Sequence, residues 1–202
     1  MLRFLIWPAV AGACAGASFA MAEAADCASI SQDLDRLACY DQESGRTPTP
    51  STAMAGAWRV DTSVSKFDDR TDVFLTVASE EIPHCSWNRE GEPVFLTIRC
   101  LENTTALVVD TPCHVTDNRN YGEVDMRADD EPTSTVRMRA STNNQALGLW
   151  TGGRAIPVVK RLIGKSTLLV RFTPYSHSAE TLTFNISGLD TAIPRLRESC
   201  GW

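Results

Sequence analysis

Positive charge is in short supply in this 202-residue chain: 19 Lys+Arg stand against 25 Asp+Glu, for a formal net charge of −6. A mildly acidic surface speaks against nucleic acid or anionic lipid as a partner. Nor is there an unbroken apolar run of the ~20 residues that a membrane-crossing helix needs. The most apolar stretch, residues 4–22, is diluted by Pro8, Gly12, Gly16 and Ser18. Histidine is scarce too. His84, His114 and His177 are the only three, and none stands in a carboxylate motif. Asp68-Asp69-Asp72 and Asp129-Asp130-Glu131 lack the D-x-D-x-D-G spacing of a calcium loop and read as solvated turns. No catalytic constellation is legible, so the expectation is a protein that is not an enzyme, with no catalytic residues, no metal and no cofactor.

What is present begins with an export signal. Arg3 is the only charged side chain before Glu23, an apolar middle follows, and Ala20-Met21-Ala22 supplies the small-residue end of a signal peptide over residues 1–22. The expected location is the periplasm or the medium. A membrane enters only if Cys14 is lipidated or the signal stays uncleaved. Cleavage after Ala22 removes Arg3, leaving 18 Lys+Arg against 25 Asp+Glu and a charge of −7. It also removes Cys14, leaving six cysteines: Cys27, Cys39, Cys85, Cys100, Cys113 and Cys200. An even number in an exported chain reads as three disulfides, though spacing does not choose among the possible pairings.

Residues 23–45 form a small helical unit. Ser29 and Gln32 have capping-box spacing, and Ile30, Leu34, Leu37 and Ala38 recur at helical intervals up to Gly45. On one straight helix Cys27 and Cys39 would lie about 18 Å apart, so a bond between them requires Cys27 to fold back from before the cap. Residues 46–56, with Pro48 and Pro50 among Thr, Ser and Gly, read as a linker. Residues 57–202 read as a β-rich domain.

The most legible part of that domain is PVFLTIRCLENTTALVVDTPC, residues 93–113. Alternation puts Val94, Leu96, Ile98 and Cys100 on one face and Phe95, Thr97 and Arg99 on the other. A two-residue turn at Glu102-Asn103 sets Cys100 opposite Thr105, Ile98 opposite Leu107 and Leu96 opposite Val109, giving one apolar face. Strands are also expected over 57–63, 72–78, 123–128, 134–140, 166–173 and 180–186. Helices are expected over 155–163 and 190–199, with Cys200 placed to staple the last helix to the sheet. The fold class is therefore mainly β (α+β): an antiparallel β-sandwich or bent sheet with a short N-terminal helical unit, one inserted helix and a C-terminal helix, stapled by disulfides.

His84-Cys85 and Cys113-His114 make a near-palindrome with the ligand types of a zinc site. Adjacent residues on a strand point to opposite faces, and an oxidising compartment favours S–S over S–Zn, so a Cys85–Cys113 disulfide is the reading preferred. The register above, which places Cys113 across from Glu92, allows it. Trp58, Trp87, Trp150 and Trp202 are scattered and read as core or lid residues rather than a ligand groove.

Several separated pieces resemble the VasI or TagO family of type VI secretion accessory proteins. They are CASISQDLDRLACYD at 27–41, the strand led by Trp58 with its acidic turn at 66–69, PVFLTIRCLENTT at 93–105, STNNQAL at 141–147 and TPYSHSAETLTFNISGLDTAIPRLRESCGW at 173–202. The resemblance implies a periplasmic or envelope-associated accessory protein with no known enzymatic role, acting by protein–protein interaction with partners in the bacterial envelope. It also implies a shared framework that pairs Cys27 with Cys39 and Cys100 with Cys200, leaving Cys85 and Cys113 as an extra pair in this chain. The alternative from the residues is an exported inhibitor or ligand-binding β-domain, of prophage origin, meeting its target through the Trp150–Gly153 and Pro174–Ser178 loops.

Overall fold

The structure, a computed structural model, describes residues 27–44, 51–66 and 69–202. The chain divides into two units, residues 1–47 and 48–202. The signal segment at 1–22 lies outside the described residues, as does Asp68.

In the first unit, Cys27–Ser29 forms a 3-10 turn and α1 spans Asp33–Glu43. The turn folds Cys27 back, so that its Cα lies 5.5 Å from that of Cys39 and the two form a disulfide. Helix α1 starts later than a cap at Ser29 would set it. Arg36 accounts for part of the difference: its guanidinium donates to the carbonyl of Ile30 at 3.3 Å and pairs with Asp33, tying the non-helical entry to the first turn.

The described residues of the second unit form eleven strands. β1 is Ser51–Ala55, β2 Trp58–Val64, β3 Thr71–Ala78, β4 Phe95–Leu101, β5 Thr104–Asp110, β6 Glu123–Ala128, β7 Ser134–Arg137, β8 Arg139–Ala140, β9 Ala146–Leu149, β10 Thr167–Phe172 and β11 Glu180–Asn185. They make a seven-stranded sheet in the order β1-β2-β3-β4-β5-β9-β8 and a four-stranded sheet in the order β11-β10-β6-β7. Every pairing is antiparallel. The fold is thus the mainly β, two-sheet arrangement expected from the alternating segments.

The β4–β5 hairpin has the register its apolar pattern dictates: Cys100 faces Thr105, Ile98 faces Leu107 and Leu96 faces Val109. Glu102 and Asn103 both have positive φ, +49° and +57°, as the tight turn matched to strand twist requires. Leu75, Leu96, Ile98, Leu107 and Val109 on the large sheet's inner face share one core with Val124, Leu168, Val170, Phe172, Leu182 and Phe184 of the small sheet.

Two helices complete that core. α2, Gly152–Leu162, contributes Ala155, Val158, Val159 and Leu162, and α3, Leu189–Cys200, contributes Leu189, Ala192, Ile193 and Leu196. Pro157 and Pro194 lie inside these helices on exposed positions, where water can serve the carbonyls their missing N–H groups leave free. The last residue of α3, Cys200, bonds Cys100 on β4, and Cys113 bonds Cys85.

Two expectations need correction. Residues 51–55, read as part of a linker, are a strand at the edge of the large sheet. Four small residues and Met54 pair with β2, and Gly56 turns the chain where a Cβ would sit 2.6 Å from the carbonyl of Ser187. The single strand expected over 134–140 is two, in different sheets. They part at Met138, whose N–H is taken by the carbonyl of Gly122 at 2.8 Å and whose side chain is fully buried.

Candidate functional site

Both helices contribute their apolar residues to the core shared by the two inner faces, and the outer face of the large sheet carries a groove of about 990 Å³. The registers lay out its floor as three rows running across the strands. One is Asp61-Phe74-Arg99-Ala106, the next Arg59-Thr76-Thr97-Val108-Gly148, and the third Ala78-Phe95-Asp110-Ala146. Pro93 and Pro112 flank the third row, and Ser141, Asn143 and Gln145 rise beside it.

Trp150 forms a wall. Its ring lies directly over Gly148, where a Cβ would come within 2.6 Å of it, so the residue beneath has to be glycine. The indole N–H donates to the carbonyl of Arg139 at 2.9 Å, and the guanidinium of Arg99 stacks 5.5 Å from the ring. Trp150 also covers a small second apolar cluster of Ala106, Val108 and Ala146. At the other side of the floor Arg59 is held by Asp61 at 2.7 Å.

Asp110 is half-buried on the floor and accepts the hydroxyl hydrogen of Thr97 at 3.0 Å. Burial pushes its carboxyl above the ordinary aspartate range, against the opposing pull of the Thr97 hydroxyl and the Arg99 charge. Phe95 stands directly opposite with its ring exposed. Aromatic rings, a partly desolvated carboxylate and amide side chains in an open concavity suit recognition of another molecule.

The family model described as "Type VI secretion system VasI, EvfG, VC_A0118" matches residues 26–202. The chain belongs to the VasI family. No curated protein matches it. Among solved structures, invasion associated protein b from Bartonella henselae is similar at 13% identity, with a TM-score of 0.49, over 73% of this chain and 96% of that one. Membership of a secretion-system family, with three disulfides, points to an exported protein, and among the described residues no helix is long and apolar enough to cross a membrane.

In this VasI-family chain all three histidines fall near the Cys85–Cys113 disulfide. His84 Nδ1 lies 3.7 Å from Glu180, His177 Nε2 lies 3.3 Å from the hydroxyl of Ser86, and His114 packs its ring edge-on against Tyr175. Trp87 and Tyr175 are exposed around them. Among the described residues no three His, Cys, Asp or Glu side chains form a metal-ligand cluster.

The acidic turns serve the backbone. Asp72 accepts the N–H of Glu102 at 3.1 Å, and Asp129 accepts those of Ser166 and Thr167. Of the four tryptophans singled out in the mature chain, Trp58 is fully buried with its N–H on the carbonyl of Ile186, and Trp202 donates to Thr105 while lying near the Lys160 and Arg197 cations. Trp150 lines the groove, where the preferred reading of the sequence expects a core or lid residue and the alternative makes the Trp150–Gly153 loop a contact surface. The Pro174–Ser178 loop belongs to the histidine end and contributes nothing to the groove. The signal that would have revealed the groove was the alternation itself: Phe74, Phe95 and Val108 are apolar on the face opposite the core.

Proposed function

We propose that this chain is a non-enzymatic accessory or adaptor of a type VI secretion apparatus, exported by cleavage after Ala22 and acting in the bacterial envelope by protein–protein contact. The observation that carries this reading is the open outer face of the large sheet. A face given over to solvent has polar alternation, whereas this one sets Phe74, Phe95 and Trp150 around a groove. Its rigidity supports the same use. The strands below are pinned by the Cys100–Cys200 bond and by the buried Trp58, so a partner meets a preformed surface.

Crosslinking in intact envelopes followed by affinity capture tests the proposal. Recovery of a protein identified by mass spectrometry as part of the secretion apparatus supports it. Release of the chain into the medium with no such adduct contradicts it. One observation favours a second reading, an exported ligand-binding β-domain: the groove has the size of a small-molecule site. Under that reading, secretion genes do not neighbour this one.

A further inference from the structure

The five charged groups lining the groove are not evenly spread. Arg59 is neutralised by Asp61 at 2.7 Å, and Arg99 is engaged on the Trp150 ring. The third row holds no cation at all: it reads Ala78-Phe95-Asp110-Ala146, and Glu92 lines the groove three residues before Phe95. Asp110 thus stands opposite an exposed aromatic ring, in a stretch of the groove whose other charged group is also a carboxylate. Asp110 has a hydrogen bond from Thr97 but, among the described residues, no ion pair.

Resting on the reading of this groove as the contact surface, we infer that its Phe95 end takes a lysine or arginine side chain of a partner polypeptide, seated between the Asp110 carboxylate and the Phe95 ring. The chemistry is complementary on each side. A carboxylate partly removed from water gains most from a cation that brings hydrogen-bond donors, and an aromatic face next to it attracts the same cation. The groove already contains one such arrangement of its own, with Arg99 over Trp150. A neighbouring apolar side chain of the partner would cover the half-buried Phe74. A neutral glycan, which aromatic grooves also bind, would bring this half-buried carboxylate no charged donor, and Arg99, the nearest cation of the floor, is engaged on Trp150.

The test uses the 15N-labelled full chain and three acetylated, amidated tetrapeptides, Gly-Phe-Lys-Gly and its Gln and Glu analogues, with chitotriose as the glycan probe. Backbone amide shifts of Phe95, Thr97 and Asp110 report binding. The lysine peptide is expected to bind about tenfold more tightly than the other two, the scale of one charge-assisted hydrogen bond. Asp110→Asn, which keeps an acceptor for the Thr97 hydroxyl, is expected to abolish that preference while leaving the rest of the spectrum in place. Equal binding of the three peptides, shifts only with chitotriose, or no shifts at millimolar peptide overturns the inference. Crosslinking to the secretion apparatus can still succeed in each of those cases, so the two readings fail separately.

Discussion

Single residues show where this chain gives up stability for shape. Asp110 is one. Burial raises its carboxyl pKa in the folded state, so folding is favoured while the group is protonated, below its unfolded value, and loses that contribution as pH rises through the folded one. Asp110→Asn mimics the protonated form. Its melting temperature is expected to exceed that of the parent chain at pH 7, with the gap closing toward about pH 3, where both carry a neutral side chain. No gap at pH 7 would mean that Arg99 and Thr97 offset the burial. The glycines give a contrast of sign. Gly188 has φ +86° and a Cβ there would lie 2.7 Å from the Cα of Gly56, whereas Gly153 in α2 has open space around it. Gly188→Ala should therefore cost about 1–3 kcal/mol or more in a denaturant titration, and Gly153→Ala should gain up to about 1 kcal/mol. Equal effects would contradict the close approach of the two backbones.

Among the elements, the β4–β5 hairpin was legible to the register because its alternation, its turn residues and its burial all agree. Helices α2 and α3 were legible to within a few residues from the spacing of Val159 and Leu162 and of Ile193 and Leu196. β1 was hidden because Ser51–Ala55 is, Met54 apart, made of small residues beside prolines, and its strand character comes from pairing with β2 rather than from its own composition. The division of 134–140 between two sheets was hidden because alternation runs straight through Met138; only the contact with Gly122 breaks it. The groove was hidden for a similar reason, since it exists only once registers align Asp61, Phe74 and Arg99 across strands.

Disulfides act at this scale too. The Cys100–Cys200 bond spans 100 residues and the Cys85–Cys113 bond 28. Chain-entropy arguments put their contributions near 4.7 and roughly 3.6 kcal/mol. Replacing Cys100 and Cys200 by Ser should thus destabilise more than replacing Cys85 and Cys113. The second pair of substitutions should raise amide exchange chiefly over residues 80–93, which that bond anchors. Uniform loss of protection in both variants would show that the loop and the hairpin unfold as one.

For the second unit as a whole, the two sheets and two helices put most large apolar side chains into one core, and its exposed rings, Trp87, Phe95 and Tyr175, fall on the groove and the histidine end. Family membership associates the chain with type VI secretion; under the function proposed above, the outer face of the large sheet is the surface through which it joins that apparatus. A photoreactive amino acid placed in turn at Phe95, Phe74 and Arg127, the last on the outer face of the small sheet, separates that account from its rivals in cells carrying the secretion system. Adducts with a component of the apparatus from Phe95 and Phe74, and none from Arg127, are the predicted result. Adducts from Arg127 alone, or equally from all three positions, would contradict it.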